Sequence, residues 1–320
     1  MAKRIDYGKT GGLVPVVVLD ATTLAPLMLA YANEEAVEKT LETGYAHFYS
    51  RARKSLWLKG ATSGSRIRVL RVEVDCDSDS LIYYGVPEGP VCHKGEYSCF
   101  HSTLHDSMME LLWELVVEAF KSSVIYRRPG VGGLETYIYI VNPLTDNIPP
   151  PSPLLQSLVS WYLASRVNRG VDKVVSLEAL GLPIASLVAQ RLGAPLAIVR
   201  KRRYPVEGLE TGYTSGYEAG THYIYGVSPG EKVVIVDDAV STGGAMLSVI
   251  QALESNGVSV VSVLSSIAKP QYGGVEKLKS LGYDLIRVVD VLLEGRELVK
   301  LIQPEKGWEQ TLKVKTYPKL

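Results

Sequence analysis

From residue 154 to residue 289, short apolar runs alternate with segments of helical periodicity, and this alternation constrains the fold more than any other feature. The periodicity predicts helices over residues 154–168, 182–192 and 245–255, and strands over residues 173–177, 195–199, 231–236, 258–265 and 284–289. Strands that alternate with helices form a parallel sheet covered by helices. We therefore predict an α/β domain with a parallel sheet over residues 105–320.

The first third of the chain has a different pattern, in which strands dominate. The sequence predicts one helix over residues 34–42 and strands over residues 13–20, 26–32, 45–50, 56–58, 66–75 and 81–86. We predict that residues 1–104 form a separate, strand-rich α+β domain.

The charge balance narrows the classes of partner. The 320 residues contain 34 Lys+Arg and 34 Asp+Glu, so the formal net charge is zero. A general nucleic-acid binder normally carries a basic excess, so we expect no nucleic-acid partner, and any anion site must be local. The polar start of the chain and the lack of a long apolar run lead us to expect a cytoplasmic protein with no membrane partner.

Three aspartates alternate along one short segment, at Asp75, Asp77 and Asp79. In an extended chain alternate side chains share a face, so these carboxylates are expected to converge and to repel one another unless a cation lies between them. Oxygen ligands suit Mg²⁺. A calcium EF-hand loop is rejected, because Ser80 stands where that loop needs Gly and Val86 where it needs Glu.

All three cysteines lie close to this segment, at Cys76, Cys92 and Cys99. An odd number is unlike a disulfide framework, and three thiolates form a soft site suited to zinc with an open position for water. His93 is either a fourth ligand or a general base. The alternative is that the three thiols are simply buried as small apolar groups.

These residues resemble the phosphoribosyl-AMP cyclohydrolase family of histidine biosynthesis over about residues 10–100. The resemblance includes the segments at residues 28–31, 48–53 and 56–64 together with the aspartate and cysteine segments. It implies a zinc site shared across a homodimer with ligands Cys76, Cys92 and Cys99, and Mg²⁺ bound by Asp75, Asp77 and Asp79. Arg51, Arg53 and Lys59 are candidates to hold the substrate phosphate, or else they form a solvated basic strand edge.

The chain departs from that family at four positions. Ser65 and Ile67 stand where the family usually has Asn or His and then Gln, and Glu96 and Tyr97 stand where it usually has two arginines. Another purine nucleotide is therefore an alternative substrate.

The second strong motif is an apolar strand that ends in two acids, a small-residue loop and a helix, over residues 233–246. Glycines allow backbone N–H groups to approach an anion, and a helix N-terminus favours negative charge. A Walker A loop is excluded because the required Lys is missing, and the dinucleotide fingerprint is absent.

This run resembles the PRPP-binding signature of type I phosphoribosyltransferases, and residues 199–205 resemble the Arg-Lys segment of adenine phosphoribosyltransferases. The resemblance implies that Asp237 and Asp238 hold the ribose hydroxyls of PRPP, that Arg200 and Lys201 face pyrophosphate, and that Mg²⁺ arrives with PRPP. It assigns the 5′-phosphate to Ala239, Val240, Ser241, Thr242, Gly243 and Gly244. Residues 205–230 are expected to form a flexible flap, with Glu218 as a candidate acid or base. For the basic residues 200–203, a nucleic-acid-binding patch is the alternative to pyrophosphate binding.

Two hypotheses follow for the whole chain. The first is a bifunctional enzyme that hydrolyses the purine ring of phosphoribosyl-AMP and transfers a phosphoribosyl group from PRPP to a purine base, as in purine salvage. The alternative is an active cyclohydrolase whose C-terminal domain senses PRPP or a nucleotide without catalysing a reaction.

Overall fold

The computed structural model describes residues 5–294 and 297–317. The chain divides into two compact units, residues 1–106 and residues 107–320. No helix among the described residues has both the length and the apolar character needed to cross a bilayer. The fold class agrees with the sequence prediction: the first unit is strand-rich, and the second carries a parallel sheet with helices.

Unit 1 is built on a four-stranded sheet with the order β2-β1-β6-β5, beside a two-stranded hairpin, β3-β4. Its elements are β1 (Val14–Asp20), β2 (Pro26–Ala32), α1 (Glu34–Thr43), β3 (His47–Ser50), β4 (Ser55–Leu58), β5 (Ile67–Val74) and β6 (Leu81–Pro87). Strands β1 and β6 run parallel, and the other pairs are antiparallel.

The local sequence explains these elements. Burial alternates along β1, where Val14, Val16 and Val18 are fully buried, as expected for a half-buried strand. Helix α1 begins where the side chain of Asn33 accepts a hydrogen bond from the backbone N–H of Ala36 at 3.0 Å, which satisfies a helix N-terminal donor.

Unit 2 is built on a nine-stranded sheet with the order β11-β12-β10-β9-β13-β14-β15-β16-β17, beside a three-stranded sheet, β18-β7-β8. Its first elements are α2 (Met108–Phe120), β7 (Val124–Pro129), β8 (Thr136–Val141), α3 (Pro153–Ser165), β9 (Lys173–Leu177), α4 (Leu182–Leu192), β10 (Leu196–Arg200), β11 (Leu209–Thr214) and β12 (Ala219–Ile224). The later elements are β13 (Lys232–Val240), α5 (Gly244–Ser255), β14 (Ser259–Ala268), α6 (Gly274–Ser280), β15 (Leu285–Glu294), β16 (Leu298–Ile302), β17 (Glu309–Lys313) and β18 (Lys315–Tyr317).

The centre of the large sheet is parallel, from β10 through β9, β13 and β14 to β15. Its strands are buried on both faces; Val233, Val234, Ile235 and Val236 of β13 are all fully buried. A continuous apolar run of this kind is typical of a strand covered by helices on both sides. The parallel sheet therefore forms as the alternating sequence pattern predicts.

The direction of the connections places a crevice in unit 2. The chain passes from β9 outward to β10, but from β13 it continues on the other side to β14, so the strand order reverses between β9 and β13. Ligands of open α/β sheets bind at the carboxyl ends of the strands at such a reversal. The residues that follow β9, β10, β13 and β14 are therefore expected to form a binding site.

The segment expected to be a flexible flap, residues 205–230, contains a hairpin of strands β11 and β12. Strands β11 and β12 pair with each other, and β12 pairs with β10, so the hairpin extends the large sheet. Burial alternates along these strands: Tyr213, His222 and Ile224 are buried, and their neighbours are more exposed.

Candidate functional sites

The aspartates of unit 1 lie close together in the turn between β5 and β6. One carboxylate oxygen from each of Asp75, Asp77 and Asp79 lies within 4.8 Å of the others. The residues form a bend with Ser78 in the left-handed region at φ 69°, and not an extended strand with alternating faces. The turn thus brings the three side chains together by a different geometry from the one predicted.

The electrostatics of the trio are uneven. Asp75 accepts hydrogen bonds from the hydroxyl of Ser80 at 2.5 Å and from two backbone N–H groups, and these lower its pKa to about 2. Burial raises the pKa of Asp79, and the nearby charges of Asp77 and Asp75 raise it further. The ammonium of Lys9 lies 3.0 Å from Asp77 Oδ2 and 3.9 Å from Asp79 Oδ2, so it partly neutralises the cluster.

Two of the three cysteines lie together. Cys92 is buried, and Cys99 is held against β2 by its backbone N–H, which donates to Leu27 O at 2.8 Å. Burial raises the pKa of the Cys99 thiol, and the neighbouring Cys92 raises it further. The Sγ of Cys76 lies 3.9 Å from Asp77 Oδ1, and within the described residues of this chain the three thiols do not form one cluster.

The candidate phosphate-binding cations differ in their surroundings. Lys59 is only 8% exposed, and burial lowers its pKa, an effect opposed by the nearby thiols of Cys99 and Cys92. Arg51 and Arg53 are exposed in the turn between β3 and β4, and the Arg51 guanidinium lies 3.8 Å from the centroid of the Tyr31 ring. The two arginines are therefore open to solvent, whereas Lys59 is buried.

His93 is exposed in the turn that follows Cys92. That turn is closed by the Cys92 N–H, which donates to Glu96 O at 2.9 Å. Tyr97, at one of the atypical positions, donates its hydroxyl to the carboxylate of Asp20, which is 5% exposed. Tyr97 thus fastens the segment between Cys92 and Cys99 to the end of β1.

A cleft of about 360 Å³ opens in unit 2 at the point where the strand order reverses. Its walls come from the carboxyl ends of β9, β10, β13 and β14, from β8, and from the β11–β12 hairpin. Most of the site residues predicted for the C-terminal domain line it: the candidate acid or base Glu218, and the predicted PRPP residues Lys201, Asp237, Asp238, Ala239, Val240, Ser241, Thr242, Gly243 and Gly244.

The phosphate loop is shorter than the sequence indicated, because β13 continues through Val240. The loop ends at Gly243, which has a φ of 77°, and α5 begins at Gly244. A Cβ on Gly244 would lie 1.8 Å from Thr214 O, so only glycine fits there. Among the described residues, the buried hydroxyl of Thr242 has no hydrogen-bond partner, which fits a loop built to meet a ligand oxygen.

The two acids of this motif lie inside β13 and are half-buried. The N–H of Asp238 donates to Asp237 Oδ1 at 3.0 Å. Burial raises the pKa of Asp237 to about 6. Burial and the adjacent Asp237 charge raise the pKa of Asp238 well above its ordinary value. A pair of carboxyls held this way is well suited to accept hydrogen bonds from ribose hydroxyls.

Arg200, the last residue of β10, and Lys201, which follows it, are each paired with an acid. Arg200 Nη1 lies 3.0 Å from Glu178 Oε2, and the backbone N–H of Lys201 donates to Glu178 Oε1 at 2.5 Å. The ammonium of Lys201 lies 2.6 Å from Glu218 Oε2. Lys201 lines the cleft, whereas Arg200 lines a separate groove.

Several functional candidates carry no recognisable motif. Lys269, at the end of β14, is 3% exposed, and its ammonium donates to the hydroxyl of Tyr137 at 3.2 Å. The rings of Tyr137 and Tyr272 stack with centroids 4.9 Å apart, and Tyr217 packs against Tyr137 at 5.1 Å. His222, from β12, also lines the cleft. Because Lys269 directly precedes Pro270, the sequence around it is typical of a turn, and only the tertiary fold shows that the lysine is buried.

Comparisons with known proteins agree with this division. The family model described as phosphoribosyl-AMP cyclohydrolase matches residues 28–101. The family model described as a phosphoribosyl transferase domain matches residues 152–289. The N-terminal part is similar to the phosphoribosyl-AMP cyclohydrolase of Archaeoglobus fulgidus, with 54% identity over 93 residues that cover 29% of this chain and 86% of that protein.

The C-terminal part is similar to the hypoxanthine/guanine phosphoribosyltransferase of Methanosarcina mazei, with 37% identity over 186 residues that cover 57% of this chain and 96% of that protein. It also aligns with the crystal structure of adenine phosphoribosyltransferase from Thermoanaerobacter pseudethanolicus, with 26% identity, 56% of this chain and 99% of that chain covered, and a TM-score of 0.45. The chain is therefore an enzyme with two catalytic domains: its N-terminal unit belongs to the phosphoribosyl-AMP cyclohydrolase family, and its C-terminal unit to the phosphoribosyltransferase family.

Proposed function

We propose that unit 1 opens the purine ring of phosphoribosyl-AMP with the help of zinc and Mg²⁺, and that unit 2 transfers the phosphoribosyl group of PRPP to a 6-oxopurine base. The name of the Archaeoglobus relative supports the first substrate. The name of the Methanosarcina relative, together with the buried Lys269, supports the second.

The donor sets of unit 1 fit the two metals. The three carboxylates, whose oxygens lie within 4.8 Å of one another, suit a hard cation such as Mg²⁺. The thiol pair of Cys92 and Cys99 suits zinc, which needs a further ligand. We propose that Cys76 of a second copy supplies it, so that the active form is a homodimer. Zinc, when bound, supplies a hydroxide near neutral pH for attack on the ring.

The other candidate residues of unit 1 supply positive charge or transfer a proton. Lys59 is buried beside Cys92 and Cys99, and its positive charge opposes the rise in the pKa of the Cys99 thiol. We infer that His93, one residue beyond Cys92 and exposed, moves a proton to the departing ring nitrogen. Arg51 and Arg53, which are exposed, are free to close on the substrate phosphate.

The test of this activity is a metal and activity assay on the Cys92→Ser variant. We expect the purified wild type to contain zinc and to hydrolyse phosphoribosyl-AMP, and the variant to have lost both. Wild type treated with a chelator and resupplied with zinc is the control. Hydrolysis retained by a zinc-free Cys92→Ser protein would reject the zinc mechanism.

The base in unit 2 is argued from one buried cation. The ammonium of Lys269 has only donors, and it lies in the cleft beside the ring of Tyr137, 5.0 Å from the ring centroid. A carbonyl oxygen at position 6 of hypoxanthine or guanine accepts such a donor. The amino group of adenine is itself a donor, so the N–H groups of the ammonium that do not bond the Tyr137 hydroxyl gain no acceptor from it. An unsatisfied buried donor costs about 1–3 kcal/mol, or more for a charged group. The single observation behind the 6-oxopurine proposal is therefore Lys269.

The rest of the cleft supplies contacts for PRPP. Asp237 and Asp238 accept hydrogen bonds from the ribose hydroxyls. The loop around Thr242 and the N-terminus of α5 bind the 5′-phosphate. Mg²⁺ arrives with PRPP. The rings of Tyr137 and Tyr217 offer an apolar face for the base. Glu218 is paired with Lys201. Once pyrophosphate replaces Glu218 as the partner of Lys201, Glu218 is a candidate to carry a proton.

The test of this activity is a screen of nucleotide formation from PRPP and Mg²⁺ with hypoxanthine, guanine, xanthine, adenine, orotate and uracil. We expect turnover with hypoxanthine or guanine and little with adenine. Turnover confined to adenine would reject the role of Lys269. PRPP binding without turnover on any base would instead favour a PRPP-sensing domain.

A further inference from the structure

A buried histidine in the cleft of unit 2 has no assigned role in the phosphoribosyl transfer described above. His222 lies in the middle of β12 and is 2% exposed. Within the part of the chain that the structure describes, its Nδ1 has no hydrogen-bond partner. Buried polar atoms are nearly always paired, so an imidazole nitrogen without a protein partner on a cleft wall is a place where water or a ligand can supply one.

The imidazole is held rigidly against one neighbour. Its ring stacks on that of Tyr213, with centroids 3.8 Å apart and planes 6° from parallel. Tyr213 comes from the adjacent strand β11, and the ammonium of Lys201 lies 6.0 Å from the centroid of its ring. Histidine, tyrosine and lysine therefore form one wall of the cleft, at the end where Lys201 lies.

The charges facing His222 come from three elements. Lys201 follows β10, Glu218 lies in the β11–β12 turn, and Glu178 follows β9. Burial lowers the pKa of His222 to about 4, with a further contribution from Lys201, while Glu218 and Glu178 oppose the shift. The imidazole is thus neutral in the empty cleft near neutral pH.

We propose that His222 takes up one proton from solvent when the pyrophosphate group of PRPP binds beside Lys201, and that it then donates an N–H hydrogen bond to a phosphate oxygen. A polyanion adds several negative charges to a wall that holds one cation and two carboxylates, so it favours the imidazolium form. Pyrophosphate also competes with Glu218 for Lys201, which leaves the Glu218 carboxylate near the new cation. No covalent bond forms or breaks; one proton moves from solvent to the ring.

This inference rests on the proposed function, because it needs PRPP to bind in the cleft. The experiment is titration calorimetry of the full chain with PRPP and Mg²⁺ at pH 6.5, in buffers of different ionisation enthalpy, which counts protons taken up. Phosphates of PRPP also titrate, so the wild type is compared with His222→Gln. His105→Gln, which removes an exposed histidine of unit 1, is the matched control.

We expect the wild type and His105→Gln to take up the same number of protons, and His222→Gln to take up fewer, by up to one. We also expect PRPP to bind His222→Gln roughly tenfold more weakly at pH 6.5, with a smaller difference at pH 8.5, since a hydrogen bond to a charged group is lost. Equal proton uptake by wild type and His222→Gln would overturn the inference. No PRPP binding to the wild type would instead reject the proposed function.

A second measurement follows the wild-type protein itself, and His222→Gln serves only to assign one signal. In wild-type protein labelled with ¹³C at the histidine Cε1, five histidine signals are expected, and the one absent from His222→Gln is His222. We expect this signal to remain neutral from pH 8 to pH 5.5 without ligand, and to move toward the imidazolium shift in that range with PRPP. A signal that stays neutral in the PRPP complex would overturn the inference.

Discussion

The ammonium of Lys269 lies 3.2 Å from the hydroxyl of Tyr137, and both side chains are at least 97% buried at the wall of the cleft in unit 2. The lysine comes from the end of β14 and the tyrosine from β8, so two separate sheets meet at this contact. Lysine has no acceptor, and within this contact it has a single neutral partner. A carbonyl oxygen of a bound base would complete its hydrogen bonding.

Lys269→Gln is expected to lower kcat/KM for guanine or hypoxanthine by about 10- to 100-fold, because a hydrogen bond from a charged donor is lost. Turnover of adenine should stay the same or rise, since glutamine offers an acceptor as well as donors. Steady-state assays with all three bases measure this change. Lys279→Gln, at an exposed lysine on α6, is the control. An equal loss for adenine and guanine would remove Lys269 from base selection.

Asp238→Asn is expected to abolish transfer and to raise the free energy of unfolding at pH 8 by about 1 kcal/mol, as active-site acids often destabilise the fold. The pKa of Asp238 is raised in the folded chain, so its contribution to stability is present at low pH and is lost as pH rises through the folded-state pKa. The gain should therefore be small at pH 5. Thermal unfolding at both pH values measures it, with the exposed Asp284→Asn as the control. A loss of stability at pH 8 would contradict the raised pKa.

The phosphate motif and the acids of β13 could be predicted from the sequence because strand, loop and helix are contiguous there. Lys269 and Tyr137 could not, since they meet only when β14 pairs beside β13 and the β7–β8 hairpin packs nearby. The same is true of Glu178, which lies far from Lys201 in the chain but accepts its backbone N–H. Side chains brought together by non-local pairing leave no periodic signal.

In unit 1 the candidate metal-binding residues can be named from the sequence, but their arrangement cannot. The acids of Asp75 and Asp79 converge through a bend that includes Ser78 in the left-handed region, which an alternating pattern does not reveal. Cys76 lies on this bend, while Cys92 and Cys99 lie in the later segment against β2. Spacing in the sequence therefore identified the thiols without showing which of them are neighbours.

Lys9→Gln is expected to tighten Mg²⁺ binding to unit 1 by about threefold to tenfold, because it removes a positive charge that lies 3.0 Å from Asp77. Asp77→Asn should weaken binding. Titration calorimetry with Mg²⁺ in the absence of PRPP measures both, and Lys39→Gln on α1 is the control. Opposite directions for the two variants are required; weaker binding to Lys9→Gln would show that Lys9 does not compete with the cation.

Tyr97→Phe is expected to lower the free energy of unfolding of unit 1 by about 2 kcal/mol, since the hydroxyl donates to the buried Asp20 carboxylate. Differential scanning calorimetry measures the effect, and Tyr204→Phe, at a residue 43% exposed, is the control. Zinc content of Tyr97→Phe should also fall, because Tyr97 fastens the segment that carries Cys92 and Cys99. Unchanged stability and zinc content would show that this contact does not support the site.

The most direct test of two separate active sites on one chain is a crossed assay of Cys92→Ser and Asp238→Asn, with phosphoribosyl-AMP hydrolysis and PRPP-dependent transfer measured on each. The residues of each site lie within one compact unit. We predict that Cys92→Ser loses hydrolysis and keeps transfer, and that Asp238→Asn loses transfer and keeps hydrolysis. Loss of both activities in a folded variant, or transfer retained by Asp238→Asn, would contradict this account.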